Sequence, residues 1–115
     1  MNLNELILIQ KEFDKRHNFK IVKRNQKEKY SQITKDLVGL FGEIGEFSNI
    51  VKKINLSLDA NLENSSIHEQ EDNLREELID FFIYFLRLAD LCDLNIEEEY
   101  LKKKNFNEKK YERFK

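Results

Sequence analysis

The chain has 115 residues, with 20 Lys and Arg against 22 Asp and Glu, no proline and three glycines. This length predicts one domain spanning residues 1–115. The net charge of −2 excludes a global basic surface, so nucleic acid is not an expected partner. No apolar run is long enough for a membrane span, no signal peptide follows Met1, and the single cysteine, Cys92, cannot form an internal disulfide. We therefore expect a cytoplasmic protein without membrane association.

The scarcity of proline and glycine argues against an all-β domain, because such domains depend on turns built from these residues. Apolar residues at helical spacing predict a first helix from about Asn2 to Lys15. The polar stretch from His17 to Lys29 fits either a loop or an extension of one neighbouring helix.

A second helix is predicted from Tyr30 or Ser31 to about Leu56, because its apolar residues alternate in steps of four and three. These positions form the apolar stripe of this helix: Ile33, Leu37, Leu40, Ile44, Phe47, Val51 and Ile54. The polar segment from Asp59 to Ser66 then predicts a loop.

A third helix, from about His68 to Cys92, repeats this spacing. Its apolar stripe is Leu74, Leu78, Phe81, Phe85, Leu88 and Cys92. Further apolar residues lie beside the stripe, so we expect this helix to be the most buried or to face a second subunit, with Cys92 buried. Asn95 and Glu98 form a capping-box pattern that begins a fourth helix, which runs to about Arg113.

Four helices with short connections predict an all-α fold, an antiparallel four-helix bundle. The aromatic surplus of the third helix predicts a homo-oligomer, either a dimer or a dimer of dimers, because a small bundle can bury such a face against its own copy.

Both middle helices carry a second line of residues beside the apolar stripe. We call this second line the acidic stripe. On the second helix it consists of Asp36, Gly39, Glu43, Glu46, Ile50 and Lys53, and on the third helix of Glu77, Asp80, Tyr84 and Arg87. Residues three apart share a helical face, so each helix presents one pair of carboxylates. We interpret Arg87 as an ion-pair partner of a carboxylate in these stripes.

If the two acidic stripes converge, four carboxylates meet, and they cannot all stay ionised without a counter-charge. A divalent metal supplies that charge, and oxygen ligands favour Mg²⁺, with Mn²⁺ as a second possibility. Magnesium commonly bridges carboxylates and phosphates, which points to phosphate chemistry. The alternative is a solvated acidic surface. The three glycines, Gly39, Gly42 and Gly45, indicate either close helix packing or space for a ligand.

Two segments of the chain resemble the MazG-like all-α nucleoside triphosphate pyrophosphohydrolases. The family signature is E-x-x-E on one helix and E-x-x-D on the next, here Glu43/Glu46 and Glu77/Asp80. A C-terminal K-x-x-x-N-x-x-R/K-Y pattern is matched by Lys103, Asn107, Lys110 and Tyr111. Two features depart from the family: 30 residues separate Glu46 from Glu77, a longer gap than usual, and Lys110 replaces the more usual arginine.

This resemblance implies Mg²⁺-dependent hydrolysis of a nucleoside or deoxynucleoside triphosphate to the monophosphate and pyrophosphate. The implied metal ligands are Glu43, Glu46, Glu77 and Asp80, with Glu46 or Glu43 as general base. The implied phosphate-binding residues are Lys53, Lys103, Asn107 and Lys110. By analogy, Phe13, His17 and Phe19 lie near a base pocket.

Two other functions remain open at this point. One is a non-enzymatic helical dimerisation or adaptor module, in which the acidic stripes are only surface charge. The other is a related diphosphatase, of the dUTP or dCTP type or of the phosphoribosyl-ATP type.

Overall fold

The computed structural model describes residues 1–19, 21, 23–61 and 65–112. Over these residues the fold is all-α, as predicted, with α1 at Leu3–Arg16, α2 at Gln26–Asp59, α3 at Ser65–Leu91 and α4 at Ile96–Glu112. None of these four helices combines the length and hydrophobicity that crossing a bilayer requires.

The helix ends follow from side chains that cap the backbone. The N-cap of α2 is Asn25, whose Oδ1 accepts a hydrogen bond from the Glu28 backbone N–H at 2.9 Å. The second helix therefore begins several residues before Tyr30, and the end of the ambiguous stretch belongs to it. The predicted cap of α4 is confirmed, because Asn95 Oδ1 accepts from the Glu98 N–H at 3.2 Å.

The connection between α2 and α3 is shorter than predicted. Helix α2 continues to Asp59, and α3 already begins at Ser65. The central part of the predicted loop, residues 62–64, lies outside the described residues, as does Arg113, where we expected α4 to end.

Helices α2 and α3 form the main packing pair and run antiparallel. Asp36 lies opposite Arg87 and Gly39 opposite Tyr84, so residue numbers rise along α2 as they fall along α3. Helix α1 packs against α3, and α4 packs against α1. This order places the middle of α2, the middle of α3 and the C-terminal half of α1 around one region.

The core is small and lies where α1, α3 and α4 meet. Among the described residues, the buried apolar side chains are Leu86, Ala89, Leu91 and Ile96. Leu6 and Ile7 of α1 pack against this cluster. Three of the four buried apolar residues belong to α3, which agrees with the expectation that it is the most buried helix.

The two apolar stripes lie only partly in the α2–α3 contact. Phe47 and Phe81 pack against each other across it, with ring centroids 5.3 Å apart. Leu37 and Ile44 on α2 are exposed, as are Leu78 and Phe85 on α3. The prediction of a buried Cys92 was wrong, because its side chain is exposed at the end of α3. The contact is rotated toward the acidic stripes, since Asp36 is buried and Glu43 and Glu77 are half-buried.

Candidate functional site

An acidic cluster lies between α2 and α3. Glu43 of α2 and Glu77 and Asp80 of α3 each offer one carboxylate oxygen, and these oxygens all lie within 4.8 Å of one another. All three side chains are half-buried. The spacing of three residues between Glu77 and Asp80 puts both on one face of α3, and the antiparallel register brings that face to Glu43.

The acidic cluster lacks an internal counter-charge. Glu43 Oε2 and Glu77 Oε2 are buried and have no hydrogen-bond partner in the described part of the chain. The close approach of the Glu43 carboxylate, desolvation by burial and the neighbouring Glu46 raise the pKa of Glu77 to about 8. At neutral pH, Glu77 therefore retains a proton that a bound cation would displace.

Glu46 lies at the edge of this cluster. Its side chain is exposed on α2, one turn beyond Glu43, and it is close enough to Glu77 to raise the pKa of that carboxyl group. Of the four carboxylates expected to converge, Glu43, Glu77 and Asp80 do so. The fourth, Glu46, is exposed to solvent beside them.

A cavity of about 550 Å³ adjoins the acidic cluster, and Glu43 and Asp80 form part of its wall. Two aromatic side chains, Phe13 and Phe19, also line it. Its polar lining comes from all three surrounding helices and the turn after α1: Gln10, Asp14, Asn18, Gln32, Lys35, Asp36, Tyr84 and Arg87. The volume is within the range of small-molecule sites, about 300–1,000 Å³.

A buried ion cluster supports one wall of the cavity. Arg87 Nη1 donates to Asp14 Oδ2 at 2.7 Å, and Arg87 Nη2 donates to Asp36 Oδ1 at 3.1 Å. The three side chains are 11%, 5% and 4% exposed, respectively. Burial alone would lower the pKa of Arg87, but its hydrogen bonds and charge interactions with Asp36 and Asp14 raise it.

The ion pair predicted for Arg87 is confirmed with Asp36 of the acidic stripe. The contribution of Asp14 was missed, although it left a signal in the sequence. Asp14 follows Gln10 by four residues on the apolar face of α1, where an unpaired carboxylate would be costly. Such a position requires a cation from another element, and α3 supplies it.

The turn after α1 is held over the cavity by the same arginine. Arg87 Nη1 also donates to the Phe19 backbone carbonyl at 3.0 Å. The Phe13 ring stacks on His17, with ring centroids 4.3 Å apart. Phe13 and Phe19 line the cavity, so two of the three residues expected near a base pocket do lie at a pocket.

The basic residues implied by the resemblance lie elsewhere. Lys53 is exposed on α2, seven residues or about 10 Å beyond Glu46. Lys103, Asn107 and Lys110 lie on α4, which packs against α1, and none of them is among the described residues that line the cavity. Within one chain, the structure therefore does not bring these predicted phosphate ligands to the acidic cluster.

The glycines of α2 have different surroundings. A β-carbon on Gly39 would overlap the phenol ring of Tyr84, so this glycine permits a close approach between α2 and α3. A β-carbon on Gly42 or Gly45 would meet no atom of the described structure within 4 Å. The packing explanation therefore applies to Gly39 and not to the other two.

Comparisons with family models, curated proteins and solved structures found no match to this chain. The chemistry must therefore be inferred from the site itself. Its defining features are three converging carboxylates, two buried oxygens without partners among the described residues, and an adjoining cavity with aromatic and amide side chains.

Proposed function

We propose that this protein is a Mg²⁺-dependent nucleoside triphosphate pyrophosphohydrolase of the MazG-like kind. It would convert a nucleoside or deoxynucleoside triphosphate to the monophosphate and pyrophosphate, acting in the cytoplasm as a homo-oligomer. The observation that carries the proposal is the convergence of Glu43, Glu77 and Asp80 beside a cavity of nucleotide-compatible size. The C-terminal pattern supports the proposal at the level of sequence resemblance alone, because Lys103, Asn107 and Lys110 are not among the described residues that line the cavity.

The donor set fits a hard divalent cation. All three converging groups are carboxylates, and two of their buried oxygens have no partner in the described structure. Glu43, Glu77 and Asp80 would hold Mg²⁺, or Mn²⁺. Once bound, the metal would neutralise phosphate charge and favour a nucleophilic water at neutral pH.

Glu46 is the carboxylate best placed to accept a proton. It is exposed beside the cluster, close to Glu77, and lies outside the group of three converging carboxylates. In the proposed reaction, a water attacks the α-phosphorus and its proton passes to Glu46. The bond from the α-phosphorus to the bridging oxygen breaks, and pyrophosphate leaves with the bonding electrons. Glu43 is the second candidate for this base.

The cavity offers a place for the nucleoside part of the substrate. Phe13 and Phe19 present aromatic rings for stacking, and Asn18 offers an amide for hydrogen bonds to a base edge. Gln10 and Gln32 donate to Asp14 and Asp36 at 2.9 and 3.0 Å, so their amide groups have a fixed orientation. Lys35 adds a positive charge for phosphate oxygens.

The direct test is pyrophosphate release from each of the standard ribonucleoside and deoxyribonucleoside triphosphates, with and without Mg²⁺. We expect Mg²⁺-dependent release of pyrophosphate rather than orthophosphate, and its loss in Asp80→Asn. Glu76→Gln is the matched control, because Glu76 is an exposed carboxylate on the same helix outside the cluster.

An adaptor without catalytic activity gives a different result. It would release no pyrophosphate from any triphosphate, and its melting temperature would be the same with and without Mg²⁺. A dUTP-type, dCTP-type or phosphoribosyl-ATP-type diphosphatase would show the same metal dependence but would be restricted to that substrate.

A further inference from the structure

Two glutamines in the cavity wall are held in the same way. Gln10 lies one turn before Asp14 on α1, and its Nε2 donates to Asp14 Oδ1 at 2.9 Å. Gln32 lies one turn before Asp36 on α2, and its Nε2 donates to Asp36 Oδ1 at 3.0 Å. Both glutamines are half-buried and line the cavity. Two different helices therefore present the same Gln–Asp arrangement to one cavity.

The two aspartates decide which end of each glutamine amide faces them. Both carboxylates are ion-paired with Arg87, at 2.7 and 3.1 Å. An ionised carboxylate only accepts hydrogen bonds, so each glutamine must turn its NH₂ group toward its aspartate. A flipped amide would place its carbonyl oxygen against a buried carboxylate oxygen, which loses the hydrogen bond and adds repulsion. The amide orientations of Gln10 and Gln32 are therefore fixed by charge.

The carbonyl oxygens of the two glutamines remain available to a ligand. Because Nε2 faces the aspartate, Oε1 of Gln10 and of Gln32 lies on the side of the amide away from the ion cluster, and neither oxygen accepts a hydrogen bond from a described residue. Arg87 binds both aspartates, so the two glutamines lie in one part of the wall. Asn18 and Tyr84 also line the cavity, but an amide that can turn and a hydroxyl group impose no choice between donors and acceptors.

We propose that Gln10 and Gln32 select nucleotides whose base carries an exocyclic amino group beside a ring nitrogen, as in cytosine and adenine, over bases with a carbonyl group there. An amino group has two N–H donors, one for each fixed glutamine oxygen. A carbonyl oxygen in the same place would face two acceptors, and neither amide can flip without losing its aspartate. Lys35 only donates, but its side chain is exposed and is the one proposed for phosphate oxygens. This inference rests on the proposed function and adds the chemical class of the base.

The test compares triphosphates that differ only at this group: CTP with UTP, and ATP with ITP. We expect kcat/KM for pyrophosphate release to be about 10–100-fold higher for the amino member of at least one pair, and the pair that responds identifies the ring. In Gln10→Met and Gln32→Met this ratio should fall toward parity, whereas a general loss of folding would lower both members alike. Gln26→Met is the matched control and should keep the ratio, because Gln26 is exposed on α2 and does not line the cavity.

Calorimetric binding of CMP, UMP, AMP and IMP in the presence of Mg²⁺ separates this inference from the proposed reaction. If no triphosphate is hydrolysed, the proposed reaction fails, while tighter binding of CMP than UMP, or of AMP than IMP, that is lost in Gln32→Met still supports the base preference. Equal values within both pairs, a preference for the carbonyl member, or a preference unchanged by both glutamine variants would overturn the inference. The absence of both turnover and monophosphate binding would overturn it as well.

Discussion

The phenol ring of Tyr84 occupies the space next to Gly39 in which a β-carbon would stand. We expect Gly39→Ala to destabilise the protein by about 1–3 kcal/mol, because overpacking outweighs the higher helix propensity of alanine. Urea unfolding of the unmodified protein and the variant measures this difference. Combining the change with Tyr84→Ala should remove the penalty, since the overlapping ring is then absent.

The other glycines provide the matched comparison for this position. Gly42→Ala adds a methyl group at an exposed site on the same helix, with open space around it in the described structure. We expect it to stabilise the protein by up to about 1 kcal/mol through helix propensity. Equal effects of Gly39→Ala and Gly42→Ala would contradict the close approach of Tyr84.

Removal of Arg87 should be far more costly than removal of an exposed arginine on the same helix. Arg87→Met leaves Asp14 and Asp36 buried without their cation, so we expect a loss of about 3–5 kcal/mol in unfolding free energy. Arg75→Met breaks only exposed ion pairs with Glu71 and Asp72, and should cost less than about 1 kcal/mol. Similar losses for the two variants would argue against the buried cluster.

The stability of the metal-free protein should decrease with rising pH because of Glu77. Its pKa is raised from 4.5 to about 8 in the folded protein, so the folded state binds this proton more tightly than the unfolded state. The resulting stabilisation is fully present below pH 4.5 and is lost as the pH rises through 8. Thermal melts of the unmodified protein and Glu77→Gln across this range measure the effect, and the variant should lack this component.

A bound divalent metal should oppose the loss of stability with rising pH. A cation in the acidic cluster displaces the Glu77 proton, so Mg²⁺ or Mn²⁺ should bind more tightly as the pH rises toward 8 and above. The melting temperature should rise with metal concentration according to RT ln(1 + [L]/Kd). Calorimetric titration in buffers of different ionisation enthalpy should detect proton release. A metal affinity independent of pH would contradict displacement of this proton.

Two variants should distinguish metal binding from catalysis. We expect Glu46→Gln to lower kcat by about 10²–10⁴-fold while the thermal shift with Mg²⁺ is retained, because the variant removes the proposed base and not a converging ligand. Asp80→Asn should lose both activity and metal stabilisation. Loss of the Mg²⁺ shift in Glu46→Gln would instead assign Glu46 to the metal.

Much of the local structure could be predicted from the sequence. The alternating steps of four and three residues predicted α2 and α3, and Asn95 with Glu98 predicted the start of α4. The i, i+3 spacing likewise predicted that Glu77 and Asp80 share a face. The start of α2 at Gln26, after its cap Asn25, was left undecided, because it lies in a polar stretch without an apolar pattern.

The apolar and acidic stripes show where such prediction fails. Both stripes run along the same two helices. In the structure, Leu37 and Phe85 are exposed, while Asp36 is buried against Arg87. Hydrophobicity alone favours burying the apolar stripe, and it does not indicate that a buried ion cluster takes up part of the contact.

The sequence by itself determined the helices and the order of side chains along each helical face. These depend on hydrogen bonds and contacts between residues at most four positions apart. Only the tertiary structure decided that Glu43 lies opposite Asp80, and that Asp14 reaches Arg87 across 73 positions. The register and rotation of packed helices depend on the whole set of long-range contacts, so no local pattern encodes them.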